Sequence, residues 1–294
     1  MRGLHRVRAE GIFYLLVLPF AALTVLFGLW PIVLSVQVSF TASATALRPD
    51  PQWVGLANYA SVLGDTLFQE SLWRTLAYTA MAVAANLAFA LAAALLLDSK
   101  LLPRGNMAFR LILFLPVVTP DVAGYVVWRW LFDSSFGAVN AALDAAGLPA
   151  FAGLTTPATA TASVLVAELW HHAGFYTLIF LANLAIRDPA LEEAAKVDGA
   201  GAWARFRHVI LPQLRPALVI NLVYATIQFL KTFTVVVVMT KGGPAESTTF
   251  VSYLAYQYFD QARYGEATAM ATILFAVVIV LSLLAYALGE RGRA

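Results

Sequence analysis

The sequence predicts an all-α membrane protein, a polytopic bundle of six transmembrane helices. Charged residues make up only 12% of the chain, about half the share that soluble domains carry, and the mean hydropathy is +0.75. Apolar stretches long enough to cross a bilayer recur along the whole sequence. Because lipid offers the backbone no hydrogen bonds, each of these stretches should be a helix.

Six stretches reach the roughly 20 mostly apolar residues that a bilayer-spanning helix needs. They are approximately residues 12–38, 72–97, 107–131, 160–185, 217–239 and 267–288. We expect residues 1–70 to hold the first transmembrane helix and an external segment, and residues 71–290 to form a five-helix core. A polar loop at 186–216 separates the fourth span from the fifth.

The placement of lysine and arginine predicts the orientation, because cytoplasmic segments of membrane proteins carry an excess of both. If the N-terminus is cytoplasmic, 13 of the 19 Lys and Arg residues fall in or beside cytoplasmic segments. We therefore expect both termini, and the loop at 186–216, to lie in the cytoplasm.

Two prolines, Pro116 and Pro120, interrupt the third span. Proline removes a backbone donor and clashes with the preceding turn, and neighbouring helices or a water-filled path can satisfy the freed carbonyl groups. The sequence leaves two interpretations open, a kink that serves packing and a gate beside a solute path.

Several classes of function are excluded or disfavoured by composition. Cysteine is absent, which excludes disulfides and thiolate chemistry. The net charge of +2 gives no reason to expect a nucleic-acid partner. A metal site is not expected, because adjacent His171 and His172 point to different helix faces. The phosphate-binding pattern G-x-x-x-x-G-K-[ST] does not occur, so we expect no ATPase activity, no catalytic residue and no cofactor in this chain.

The loop at 186–216 has the signals of two short helices joined by a turn. Asp188 can cap a helix that begins with Pro189 and carries acids in its first turn, and glycine at 199–201 ends it. A second, amphipathic helix begins near Trp203. Either this is a tight connection between two spans, or it is a compact surface on which a partner docks.

This loop resembles the EAA loop of ABC importer permeases in Glu193-Ala194-Ala195, Gly199 and Val209-x-Leu211-Pro212, with valine where the pattern usually has isoleucine. The resemblance continues through most of residues 50–290. The segments that carry it are GLANYASVL at 55–63, LPRGNMAFRLILFLPVVTP at 101–120, Trp128-Arg129-Trp130, MTKGGPAESTT at 239–249 and YGEATAMATIL at 264–274. Within the family, the chain is most similar to the carbohydrate branch, which includes maltose and glycerol-phosphate permeases.

The resemblance implies a bacterial cytoplasmic (inner) membrane protein with a defined set of partners. These are a second homologous permease, a cytoplasmic ATPase dimer that binds ATP and Mg²⁺, an external solute-binding protein, and a sugar-like solute. The loop would hold a coupling helix, braced against the bundle by Trp203 and Phe206. The expected ATPase-docking residues are Glu192, Glu193, Ala194, Ala195, Asp198, Gly199 and Ala200.

Polar residues inside the spans are costly and predict a functional role by default. Asn221, Tyr224, Gln228 and Lys231 recur at helical spacing in the fifth span, and we expect them to share one face. With the fourth-span residues Glu168, Trp170 and His171, they are the expected solute-path residues. The alternative is that these groups face the partner or pair with one another, for example Glu168 with His171 or with Lys231.

The solute itself is not fixed by the sequence. A cation such as Lys231 about midway through a span suggests an anionic solute, so a glycerol phosphate or another anionic polyol is the alternative to a neutral sugar or glycoside. A secondary transporter is a further alternative, although the chain has no evident internal repeat.

Overall fold

The computed structural model describes residues 15–42, 52–99 and 106–290, and these residues are almost entirely helical. The predicted positions of the termini fall outside the described residues. In chain order the helices are α1 (Leu15–Ser39), α2 (Ala57–Gly64), α3 (Thr66–Asp98), α4 (Asn106–Val118), α5 (Asp121–Leu131), α6 (Ala138–Ala145), α7 (Pro157–Ala185), α8 (Pro189–Val197), α9 (Ala202–Gln213), α10 (Arg215–Leu230), α11 (Val251–Asp260) and α12 (Tyr264–Glu290).

The membrane spans agree with the predicted bundle, and the fold class is confirmed. Among the described residues four helices are long and apolar enough to cross a bilayer, namely α1, α3, α7 and most of α12. Two bent helix pairs raise the number of candidate spans to six. They are α4 with α5, and α9 with α10.

The third span is broken and not merely kinked. Pro116 lies inside α4, the chain leaves the helix at Thr119, and Pro120 caps the start of α5. The two helices meet at 109°. A helical proline costs a hydrogen bond but usually bends a helix far less than this, so the break needs the second proline. That the break between α4 and α5 acts as a gate stays a prediction.

The fifth span is shorter than the predicted 217–239. Helix α10 ends at Leu230, Lys231 caps it, and a separate π-helical turn follows at Val236–Thr240. The prediction that Lys231 continues the helical face of α10 is therefore wrong. Thr232 leaves the helix and turns its hydroxyl toward a buried carboxylate, described below.

The chain forms two compact units. One takes in the described residues through Thr66 together with Ala255–Ile273, and the other takes in Leu67–Leu254 with the described residues from Leu274 onward. In the first unit α1 buries almost none of its side chains, and a π-helical stretch at Thr24–Leu29 precedes Pro31. The functional division predicted at residue 70 stays a prediction.

In the second unit the core is aromatic and closely packed. Tyr125, Tyr176, Phe180 and Phe229 are fully buried. Helices α4 and α7 cross at Gly174, where a Cβ atom would lie 2.4 Å from the carbonyl oxygen of Leu113. Small residues let membrane helices approach closely, and this crossing admits only glycine.

The C-terminal ends of α3 and α7 lie side by side. Asp98 is the last residue of α3, and its carboxylate lies 2.7 Å from the guanidinium of Arg187, which follows α7. The ends of the second and fourth spans are therefore on the same side of the bundle, as the predicted order of crossings requires.

Candidate functional site

The loop between α7 and α10 begins with a capped helix, as predicted. Asp188 precedes α8, and its carboxylate accepts a hydrogen bond from the backbone N–H of Ala190 at 2.9 Å. Pro189 follows at the first helical position, where its missing N–H costs nothing. The side-chain carbonyl of Gln213 accepts a hydrogen bond from the Asp188 N–H at 3.1 Å, which ties the beginning of the loop to its end.

Helix α8 ends in a glycine that adopts a left-handed conformation. Gly199 has φ of +77° and donates its N–H to the carbonyl of Lys196, while Ala200 donates to the carbonyl of Ala195 at 2.9 Å. These two bonds form a Schellman motif, for which glycine is the favoured residue. A Cβ atom at Gly199 would meet nothing within 4 Å, so the backbone angle selects glycine here.

Glu192 is the centre of a cluster of three cations. Its carboxylate lies 2.9 Å from Lys196 on the same helix, 3.5 Å from Arg187 and 3.9 Å from Arg205 on α9. The hydrogen bond from Lys196 lowers the pKa of Glu192 below its ordinary value, and the charges of Arg187 and Arg205 act in the same direction. This side chain thus fixes α8 to the rest of the loop and does not point away from it.

The opposite side of α8 is exposed. Glu193, Ala194, Asp198 and Gly199 are all exposed, whereas Glu192, Ala195 and Ala200 are half-buried. Beside the four exposed residues lies Val197, with 88% of its surface exposed. The seven predicted docking residues therefore divide into an outward face and an inward anchor.

The predicted brace of the loop is wrong for one of its two residues. Trp203 contacts the ring of Phe206 at 5.5 Å, but 68% of its surface is exposed, so it does not secure the loop within this chain. Arg205 holds the turn within the loop together, donating to the carbonyl of Ala200 at 2.8 Å.

A second group of polar side chains lies inside the spans. Tyr78 on α3 donates its hydroxyl to Oε2 of Glu168 on α7 at 2.8 Å, and Thr232 donates to the same oxygen at 3.2 Å. All three residues are buried. Two O–H donors thus share one oxygen of the carboxyl group, and the pairing of Glu168 with His171 or Lys231 is not what the structure shows.

His171 pairs with an acid at the break of the third span. Its Nε2 lies 3.0 Å from Asp121, the first residue of α5. His171 is buried while the Asp121 side chain is half exposed, and Nδ1 of His171 has no hydrogen-bond partner among the described residues. If Nε2 carries the proton toward Asp121, Nδ1 is left as a buried acceptor without a partner in the described part of the chain.

The predicted polar face of the fifth span is divided by the structure. Asn221 is buried and donates to the carbonyl of Tyr176 at 3.2 Å. Tyr224 is exposed and its ring lies 4.8 Å from that of Phe175. Gln228 is half-buried and Lys231 is exposed. Asn221 thus acts in helix packing, and the other three remain available to a path.

Trp170 borders an apolar groove at the elbow between α4 and α5. Its ring meets that of Trp128 edge to face at 5.8 Å. The groove has a volume of about 270 Å³, and Pro116 and Ala173 also line it. Such a surface offers ring contacts but few hydrogen bonds.

Tyr78, Asp121 and Thr232 are site residues that the sequence did not single out. Polar residues recur along α3 at Ser71, Thr75 and Thr79 beside Tyr78 and are buried together. This spacing of about one turn could have indicated an inward polar face. No group of three or more possible metal ligands occurs in the part of the chain that the structure describes.

Comparison with known families gives a match over residues 87–293, to the family described as binding-protein-dependent transport system inner membrane component. The match covers well over half of the chain. The chain belongs to this family. The permease is thus an inner-membrane component of a binding-protein-dependent ABC importer, and the recognition of the loop at 186–216 is confirmed at the level of the family.

Two relatives are similar over nearly the whole permease. It is 30% identical to the trehalose/maltose transport system permease protein MalF of Thermococcus litoralis, over 98% of this chain and 97% of the relative. It is 32% identical to the sn-glycerol-3-phosphate transport system permease protein UgpA of Yersinia pseudotuberculosis, over 95% and 94% of the two chains.

The fold of the permease matches a solved structure. A chain in the crystal structure of a bacterial ABC transporter involved in the import of the acidic polysaccharide alginate superposes with a TM-score of 0.85. The match covers 99% of both chains at 23% sequence identity. The likeness establishes the fold.

Proposed function

We propose that this chain is one of two permease subunits of an importer for a sugar or glycoside, and that helix α8 is its coupling helix. The observation that carries the proposal is the division of α8 into two faces. Glu192 anchors the helix to the rest of the loop through Arg187 and Arg205. The other face presents small and apolar groups outward, together with two exposed carboxylates, those of Glu193 and Asp198. Exposed apolar residues beside small ones suit close approach by a partner.

The partner on the cytoplasmic face is an ATPase dimer, which supplies the ATP and Mg²⁺ sites. Its closure on ATP would move α8 and switch the bundle between inward- and outward-facing states, as rigid-body transport mechanisms do. This chain takes no part in hydrolysis, and both of its termini lie in the cytoplasm. A second permease completes the path, and an external binding protein delivers the solute.

The solute path runs beside the break of the third span. The half-exposed side chain of Asp121 offers a carboxylate there, and the buried His171 holds that carboxylate through Nε2. Trp170 presents a ring face of the kind that stacks on the apolar side of a sugar, and Tyr224 and Gln228 add hydrogen-bonding groups. A site that binds a sugar needs hydrogen-bonding groups for the hydroxyls and ring faces for the apolar side of the sugar.

An anionic polyol is the second candidate. Lys231 caps the end of α10 and is exposed, so it could face a negatively charged solute. A relative that is 32% identical is named as a permease of an sn-glycerol-3-phosphate transport system. Replacement of Lys231 by methionine separates the two, because it would weaken uptake of an anionic solute and leave that of a neutral sugar unchanged.

Co-purification tests the proposal as a whole. The tagged permease is expressed with the genes beside its own, purified in mild detergent, and its companions are identified by mass spectrometry. We expect a second permease and an ATPase. Recovery of this chain alone, folded and stable in several detergents, would contradict the proposal, as would ATP hydrolysis by the chain without its companions.

A further inference from the structure

Arg187 contacts two acids that lie on different helices. One guanidinium nitrogen lies 2.7 Å from Asp98 at the end of α3, and another lies 3.5 Å from Glu192 on α8. Arg187 itself belongs to the short segment between α7 and α8. A single side chain therefore joins the ends of two spans to the helix that would meet the ATPase.

The guanidinium group suits this bridging position. Its nitrogens form a rigid planar fork that can hold two carboxylates at once, whereas lysine offers one compact charge. The side chains of Arg187, Asp98 and Glu192 are only 22%, 29% and 18% exposed. The three groups are shielded from solvent more than an ordinary surface ion pair is.

Helix α3 extends from this bridge into the polar cluster of the spans. Tyr78, which donates to Glu168, lies 20 residues before Asp98 on the same unbroken helix, a distance of about 30 Å along the helix axis. A shift of the cytoplasmic end of α3 would therefore reach the contact between α3 and α7 inside the membrane.

We infer that Arg187 is a positioning residue that ties the end of α3 to helix α8, so that movement of α8 is passed to α3. The inference rests on the proposed role of α8 as a coupling helix. All three side chains keep some exposure to solvent, so their ion pairs should add only modestly to stability. The expected consequence of losing Arg187 is therefore poor coupling and not unfolding. Fewer solute molecules are then imported for each ATP that is hydrolysed.

The test uses the assembled transporter in proteoliposomes, with its second permease, ATPase and binding protein. The measured quantity is the number of solute molecules imported for each ATP hydrolysed. For Arg187→Gln we expect this ratio to fall by roughly threefold or more, in the range of coupling changes seen for single residues, while binding-protein-stimulated hydrolysis persists. Arg187→Lys keeps the charge but not the fork and should give an intermediate ratio.

The control is Arg207→Gln, because Arg207 is an exposed arginine of the same loop. It should leave the ratio unchanged. Asp98→Ala removes the other end of the bridge and should lower the ratio as well, and it carries the test if the Arg187 variant fails to assemble. The double variant should be no worse than Arg187→Gln alone, since both changes break one connection.

The inference would be overturned by a wild-type ratio in Arg187→Gln or in Asp98→Ala, or by independent, additive losses in the double variant. Failure of the proposed function looks different. In that case the wild-type complex itself would contain no ATPase, or its hydrolysis would not respond to the binding protein.

Discussion

Tyr78 and Glu168 are 90 residues apart in the sequence, and the phenolic hydroxyl of the first donates a hydrogen bond to the carboxyl group of the second at 2.8 Å. The contact joins α3 to α7 within the membrane. A carboxyl group in this environment is costly unless it is hydrogen-bonded. Tyr78 and Thr232 are therefore as important to the site as Glu168 itself.

Replacement of Tyr78 by phenylalanine should destabilise the bundle, because it removes one of the two donors to a buried carboxyl group. Thr232 still donates to the same oxygen, so the loss is that of one hydrogen bond, about 1 kcal/mol. Thermal unfolding in detergent measures the effect. The matched control is Tyr286→Phe on α12, where the ring is 51% exposed and little change is expected. Equal effects in the two variants would contradict the account of the cluster.

Gly174→Ala should disturb the crossing of α4 and α7, since the new Cβ atom would lie 2.4 Å from the Leu113 carbonyl oxygen. The helices must separate to admit it, and we expect a loss of about 1–3 kcal/mol, as for other overpacked sites. The control is Gly28→Ala, also inside a span, where the nearest atom lies 3.9 Å away. A stable Gly174→Ala variant would show that α4 and α7 do not cross so closely.

Gly199→Ala should weaken the end of α8, because φ of +77° is unfavourable for any residue with a Cβ atom. The expected cost is about 1 kcal/mol. Gly201→Ala is the control, because Gly201 has φ of −64° and equally open surroundings. Hydrogen exchange of the amides at residues 198–200 compares them. Faster exchange in the Gly201 variant than in the Gly199 variant would contradict the geometry.

The anchoring of α8 by Glu192 should depend on pH. Because the pKa of Glu192 is lower in the folded loop than in the unfolded chain, its stabilising effect is fully present above the unfolded value of about 4.3. It is lost as the pH falls through the folded value. Hydrogen exchange of the backbone amides in the loop should therefore be faster in Glu192→Gln than in the wild type at neutral pH. This difference in exchange rate should vanish in acid. A difference in exchange rate that grows as the pH falls would contradict the anchoring role of the Glu192 carboxylate.

The loop between α7 and α10 could be predicted from the sequence because its signals are local. Asp188 caps the residues that directly follow it, and Gly199 ends the same helix through its own backbone angle. The polar side chains of the spans could be recognised as unusual for the same reason. Their partners could not, because the contact from Tyr78 to Glu168 depends on how two distant helices pack.

The fifth span shows why helical spacing alone was insufficient. Asn221, Tyr224, Gln228 and Lys231 have the spacing of one helix face, but α10 stops at Leu230. Thr232 leaves the helix to donate to Glu168, and a contact with another helix is invisible to periodicity. Asn221 is likewise turned inward by the Tyr176 carbonyl group. Long-range hydrogen bonds decided both outcomes.

Site-specific crosslinking tests most directly the claim that α8 docks on an ATPase. The chain has no cysteine, so Val197→Cys, on a side chain 88% exposed, introduces a unique position for a thiol-linked photo-crosslinker. Phe136→Cys is the control, at a side chain 73% exposed in the predicted external segment. In the assembled complex we predict a crosslink to the ATPase from residue 197 and none from residue 136. Efficient labelling at residue 197 without any crosslink to the ATPase would contradict the central claim.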